Sequence, residues 1–233
     1  MNMIDEILTK ATALQNEDYT ITETSNLSEV NNLNNQLSAI VSNATVFFVN
    51  IKNIPFIVNN EGKRVAAKIY KIFHETLSVF AKESNAFLVN HNNSSFLLIY
   101  PSSIQEIDTN IENAFRLSHV LGKVLVKNFT QFSNVDFAIG VDHGRILGSK
   151  YSNDTLWYGT CIDKAEAISK VCSKPCYLGI SGLIYSKLSD NMRTKTRHIL
   201  GIPKKELIWL KGRYQFENES KHYYASNFTI EVE

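Results

Sequence analysis

Apolar residues are spaced differently along the two parts of this chain. Ile4, Ile7, Leu8, Ala11 and Leu14 recur at helical spacing, which predicts a short amphipathic helix. A polar stretch from Asn16 to Asn35 follows and reads as a solvated connector. The pattern then changes at Thr45-Val-Phe-Phe-Val-Asn-Ile51, a nearly continuous apolar run rich in β-branched and aromatic residues, as expected of a strand buried on both faces. Val65, Ile69, Ile72, Phe73, Leu77 and Phe80 lie along one helical face. Two short strands, Ala86–Val89 and Ser95–Tyr100, flank the polar linker Asn90–Ser94. A second helix carries Ile111, Ala114, Phe115, Leu121, Val124 and Leu125, and a strand pair follows at Asp136–Val141 and Ile146–Leu147, turning at Asp142-His-Gly144.

The predicted order is βαββαβ, so the fold class is α+β, a ferredoxin-like core made of one sheet with helices on one face. An αβ extension continues with a strand at Thr155–Tyr158, a helix at Ile162–Val171 and a strand at Cys176–Ile180. Ser181 caps a helix over Gly182–Leu188, and last strands fall at Leu207–Leu210 and His222–Ala225, joined by a turn at Lys211-Gly-Arg213. Two regions are expected: residues 1–43, a helix with its connector, and residues 44–233, the main domain.

Composition narrows the classes. Length (233 residues) and a 44% hydrophobic content suffice for a buried core. A formal net charge of +1 argues against a nucleic-acid partner. No apolar stretch is long enough to span a membrane, and the first residues lack the apolar run of a signal peptide. Cys161, Cys172 and Cys176 fit free thiols in a reducing compartment, so a cytoplasmic protein is expected.

Several segments together resemble the class III nucleotidyl cyclase catalytic domain over residues 44–226. They are the Phe48-Val-Asn-Ile51 strand, the polar hairpin, Ala138-Ile-Gly-Val-Asp-His-Gly-Arg145, Trp157-Tyr-Gly-Thr-Cys-Ile-Asp-Lys-Ala165 and Tyr177–Leu188. In size and layout the chain is similar to the stand-alone bacterial pyrimidine cyclases of anti-phage signalling. The resemblance implies a cyclase-type extension, a homodimer or a heterodimer with an intact cyclase, and a nucleotide in the groove between chains. It also implies two carboxylates holding two divalent ions that carry the triphosphate.

At those family positions the chemistry is altered. Asn50 stands where the first carboxylate belongs, and Asn93-Ser94 where a Gly-Asp pair belongs. Asn53 and Pro55 occupy the phosphate-binding turn, and Pro55 has no N–H to donate. Asp163 and Ala167 replace the Asn and Arg that stabilise the transition state, and Asp163 would repel a triphosphate. Leu156 takes one base-recognition position, where it cannot hydrogen-bond, whereas Asn90 at the other can still contact a base edge. Lys211 and Arg213 keep a phosphate-compatible charge. The resemblance therefore predicts a degenerate cyclase-homology protein without turnover, serving as a nucleotide-binding, regulatory or dimerisation module. Its expected nucleotide-binding residues are Asn90, Lys211 and Arg213, with no metal and no cofactor.

Two alternatives stand beside that expectation. One is an active cyclase with a rebuilt Mg²⁺ or Mn²⁺ site using Asp142 or Asp163. The other is a ferredoxin-like protein-interaction domain. The remaining constellations read as structural: Asp142-His143 as a turn pair, Cys172 and Cys176 as free thiols without zinc spacing, Trp209 and Tyr223-Tyr224 as residues that finish the sheet or cover an edge. The cluster Arg193–Arg197 with Lys204-Lys205 reads as a solvated basic face.

Overall fold

The computed structural model describes residues 2–16, 18–33, 38–92, 94–127, 135–151, 154–199 and 202–230. Helix α1 (Met3–Asn16) and strand β1 (Thr20–Glu23) precede β2 (Ser38–Ile51). Helices α2 (Ile54–Glu61) and α3 (Lys63–Glu83) lead to β3 (Phe87–Asn92) and β4 (Ser95–Pro101). Helix α4 (Ile107–Leu121), extended by a π turn over Gly122–Lys127, leads to β5 (Phe137–Tyr151). The extension comprises β6 (Asp154–Tyr158), α5 (Thr160–Val171), β7 (Leu178–Ser181), α6 (Gly182–Lys187), α7 (Asp190–Arg193), β8 (Thr194–Ile199), β9 (Ile202–Leu207), β10 (Leu210–Phe216) and β11 (Glu219–Ser226).

The main sheet runs β10-β11-β7-β5-β2-β4-β3. Within it β5-β2-β4-β3 is the antiparallel order of a ferredoxin-like core, with β2 paired to both β4 and β5. β7 joins parallel to β5, and β11 then β10 complete that edge in antiparallel fashion.

Both faces of the sheet are covered, so the one-sided arrangement expected from the pattern holds only for the core. Phe47 and Val49 face α3 and α4, whereas Val46 and Phe48 face α5. That two-sided burial explains why the β2 sequence is apolar without alternation. Helix α5 lies close to β5 because glycines open a lane. A Cβ on Gly140 would stand 1.9 Å from the Ala165 carbonyl oxygen, and one on Gly144 would stand 3.2 Å from the Cys161 Cβ.

Several boundaries move. β2 begins at Ser38, not Thr45, and Ser38–Val41 pair in parallel with β1. The stretch expected to be a solvated connector buries Leu27 and Val30 from a 3₁₀ turn in the core. The strand pair around Asp142-His-Gly144 is one continuous strand, β5, with no turn there. Lys211-Gly-Arg213 lies inside β10; the turn is Glu217-Asn218, both with positive φ. Trp209 is a core residue rather than an edge cover. Ser181 caps α6 as expected, its hydroxyl accepting from the Ile184 N–H at 3.3 Å.

Because β5 is continuous, Asp142 and His143 face opposite sides of the sheet. His143 Nδ1 meets Thr45 Oγ1 at 3.0 Å in a network with Asn110 and Ser102, and burial lowers its pKa. Asp142 is 2% exposed and accepts from the Ser181 hydroxyl at 2.5 Å, which links it to the α6 cap.

Burial raises the Asp142 pKa, opposed by that hydroxyl, by the His143 N–H and by the charges of Lys164 and Lys221. A carboxyl with a raised folded-state pKa carries a penalty that grows as pH climbs from the unfolded value, near 3.8, through the folded one. Asp142→Asn removes the titration. Its unfolding free energy relative to the unmodified chain should therefore rise with pH across that window and level off above it. Denaturant titrations from pH 3.5 to 7.5 check this, and a pH-independent difference between the two proteins would refute it.

Candidate functional site

The family's metal end corresponds to where β2 ends and β4 and β5 begin. Asn50, next to last in β2, sits between Ser95 on β4 and Ala138 on β5. Its side chain points to the α5 face, where Nδ2 donates to Ser169 Oγ at 3.3 Å. Its Oδ1 is buried with no partner among the described residues, as are Ser95 Oγ and Asp136 Oδ1. Asp136 lies two residues before Ala138, one diagonal step across the sheet from Asn50. Lys52 Nζ donates to the carbonyls of Lys170 and Cys172 and holds the C-terminal end of α5.

This donor set does not fit a pair of divalent ions. It offers one amide oxygen, one hydroxyl and one carboxylate, and the described residues contain no group of three His, Cys, Asp or Glu able to hold a metal. The cysteines are free, and burial pushes the Cys161 and Cys172 thiols up to about 12.

The pairing register puts Ser95, rather than Ser94, across from Asn50. Ser94 instead bonds Asn92 Oδ1 through its N–H at 3.0 Å, and its carbonyl accepts from the Ile51 N–H at 3.0 Å. Asn93 lies outside the described residues. Asn53 and Pro55 begin α2, and Asn53 Oδ1 accepts from the Asp136 N–H at 2.9 Å. Proline suits the first turn of a helix, so the segment has become a helix start. Asp163 is exposed on the first turn of α5, and Ala167 packs beside Ala138, Cys172 and Tyr214. Leu156 is half-exposed on β6.

The nucleotide-binding candidates do not meet within one chain. Lys211 and Arg213 are exposed on β10, one edge of the main sheet, and Asn90 is exposed on β3, the other edge. Six strand spacings separate them, about 29 Å. Asn90 lies on the α3 face, in a cleft of about 500 Å³ with Tyr70, Lys71, His74, Asn92 and Phe96. Asp136 and Ser95 are the residues that sequence reasoning missed. Asp136 read as the start of a strand, and only the cross-strand register reveals its place beside Asn50.

No protein-family model matches the sequence. A curated relative, the uridylate cyclase of Burkholderia cepacia, is 18% identical over 169 residues, 69% of this chain and 72% of that protein. Two solved structures agree more in shape than in sequence. The guanylyl cyclase Cya2 matches with a TM-score of 0.63 at 9% identity, over 82% of this chain and 94% of that one. A class III adenylyl cyclase-like ATP-binding protein from Pseudomonas aeruginosa matches at 0.65 and 11%, over 80% of this chain and 43% of that one. In sheet order, in the helix laid across β5 and in these likenesses alike, the chain has the fold of the class III nucleotidyl cyclase catalytic domain.

Proposed function

We propose that this chain is a cyclase-homology module that binds a nucleotide between two copies, or with an intact cyclase, and does not cyclise it. The observation that carries the reading is Asn50. An amide stands at the first metal position, hydrogen-bonded to Ser169, with a serine across from it. Neutral oxygens do not offset the charge of two hydrated divalent ions, so the triphosphate loses its carrier. The likeness to an ATP-binding protein of cyclase-like fold supports retained binding. A head-to-tail pair would bring the β3 edge of one chain, with Asn90, toward the β10 edge of the other, with Lys211 and Arg213. Because no ion is required, binding should persist in a chelator.

A second reading, an active cyclase with a rebuilt site, is favoured by one observation: the buried, unpartnered Asp136 Oδ1 beside Asn50. One experiment separates the two. The protein is incubated with each of the four ribonucleoside triphosphates and Mn²⁺, products are resolved by chromatography, and melting is followed with nucleotide plus chelator. The expected result is no cyclic product, next to an intact cyclase that gives one, with a melting shift that Lys211→Ala together with Arg213→Ala removes. A cyclic product lost in Asp136→Asn would establish the second reading. A shift unchanged in the double variant would remove the two cations from the site.

A further inference from the structure

The acidic and basic residues of this chain are segregated. Residues 1–33 hold six carboxylates (Asp5, Glu6, Glu17, Asp18, Glu23, Glu29) against one lysine, Lys10. Residues 193–207 hold five basic side chains (Arg193, Lys195, Arg197, Lys204, Lys205) against one acid, Glu206. The basic segment forms a two-stranded antiparallel sheet of its own, β8 with β9, separate from the main sheet. A lone two-stranded ribbon is marginal in water unless something packs on it. Lys195, Lys204 and Lys205 are exposed, and none is in an ion pair among the described residues. Arg193 is already engaged, donating to the carbonyls of Tyr185 and Ser186.

In the acidic segment Glu6 pairs with Lys10 and Glu23 with Arg145, while Asp5, Asp18 and Glu29 are in no ion pair among the described residues. Helix α1 leaves Met3, Ile4, Ile7 and Leu8 between 57% and 74% exposed, and Ile21 on β1 is 54% exposed. Beside the ribbon, Leu207 and Leu210 are also about two-thirds exposed, at 66% and 67%. Each surface therefore pairs charge of one sign with uncovered apolar side chains. Glu23, at the end of β1, lies at the ribbon's end of the molecule. Glu23 lines a cavity with Ser102, Ser103 and Glu106 at the start of α4, and Asp108 on the next turn accepts from the Ser189 N–H, just before α7 and the ribbon.

We infer that the acidic N-terminal segment of one copy docks on the basic β8–β9 ribbon of a second copy, and the second on the first. A two-fold pair brings such complementary patches together twice, so each copy covers its neighbour's exposed helix and ribbon. The occupant is this chain because it carries both surfaces with nearly matching opposite charge. This contact is separate from the nucleotide groove and stands whether or not that groove binds anything.

The test is sedimentation equilibrium of the full chain at low salt. The variants are Lys195→Glu with Lys204→Glu and Lys205→Glu, and separately Asp5→Lys with Glu6→Lys and Asp18→Lys. Each set alone should weaken self-association by about tenfold or more, because attraction becomes repulsion, and an equimolar mixture of the two should restore it. Unchanged association in either variant, or a mixture no tighter than its components, would overturn the inference; the latter is also the outcome if the segment docks within its own chain. If a variant fails to fold, the unmodified protein decides: its dimer should loosen as ionic strength rises from about 0.05 to 0.5 M, and a salt-independent dimer refutes the contact. A single-stranded RNA bound by the unmodified chain and lost in the ribbon variant would assign the ribbon to nucleic acid instead.

Discussion

Gly140→Ala should destabilise the protein by about 3 kcal/mol, the upper part of the range for overfilling a packed interior. The added methyl would stand 1.9 Å from the Ala165 carbonyl oxygen and 2.6 Å from the Ser169 nitrogen, both backbone atoms of α5. No rotamer relieves such a contact, so the helix must lift from β5. For a chain of this size the shift in Tm should be about 6–12 °C, and the denaturant midpoint should fall without a change in m. Lifting α5 also draws Ser169 away from Asn50, so stability and the geometry of the site are lost together. Gly122→Ala is the control. A Cβ there meets nothing within 4 Å and the backbone is already helical, so that variant should be neutral or slightly more stable. A Gly140→Ala protein within about 0.5 kcal/mol of the parent would mean that α5 does not lie on β5 as described.

Trp209→Ala should cost about 4 kcal/mol, within the usual range for emptying a buried aromatic site. The indole is 4% exposed, packs with its ring centre 5.3 Å from that of Phe115, and donates through Nε1 to the Met192 carbonyl at 2.8 Å. That bond ties α7, from which the ribbon departs, to the link between β9 and β10, where the chain leaves the ribbon. Trp209→Phe keeps most of the ring and strands one carbonyl, so it should cost about 1 kcal/mol. Denaturant titration gives both values. Amide exchange over residues 194–207 should quicken far more in the Ala variant than in the Phe variant; equal exchange in the two would show that the ribbon is not rooted through Trp209.

Strand and helix types along residues 45–188 follow the apolar pattern of the chain, because each helix there buries one face on the sheet and β2, buried on both faces, is apolar throughout. The order β5-β2-β4-β3 followed from recognising βαββαβ. What escaped depended on pairing across the sheet. Gly144 and Asp142-His143 carry turn chemistry, yet β5 passes straight through them, since Gly144 is there to admit Cys161 of α5. Leu27 and Val30 are two apolar residues in a polar stretch, too few to signal a buried turn. The basic cluster gave no strand signal, because a segment rich in Lys, Arg and Thr carries no apolar alternation. At the candidate site, the motifs placed Asn50 near the end of a central strand and Asp163 on a helix, as β2 and α5 have them. The placement of Ser95 and Asp136 beside Asn50 was not legible, since a one-residue change of register moves every side chain to the other face.

β10 ends the main sheet on one side, and among the described residues its outer row of N–H and C=O groups has no partner strand. Such an edge invites pairing with any extended chain, and charged side chains on it are a common safeguard. Lys211 and Arg213, two residues apart with Gly212 between them, set like charges along that edge. Two copies meeting edge to edge would bring four cations together. The side chains proposed to hold a phosphate would thus also oppose edge-to-edge pairing of the sheet, and nucleotide bound there would neutralise the very charges that hold copies apart.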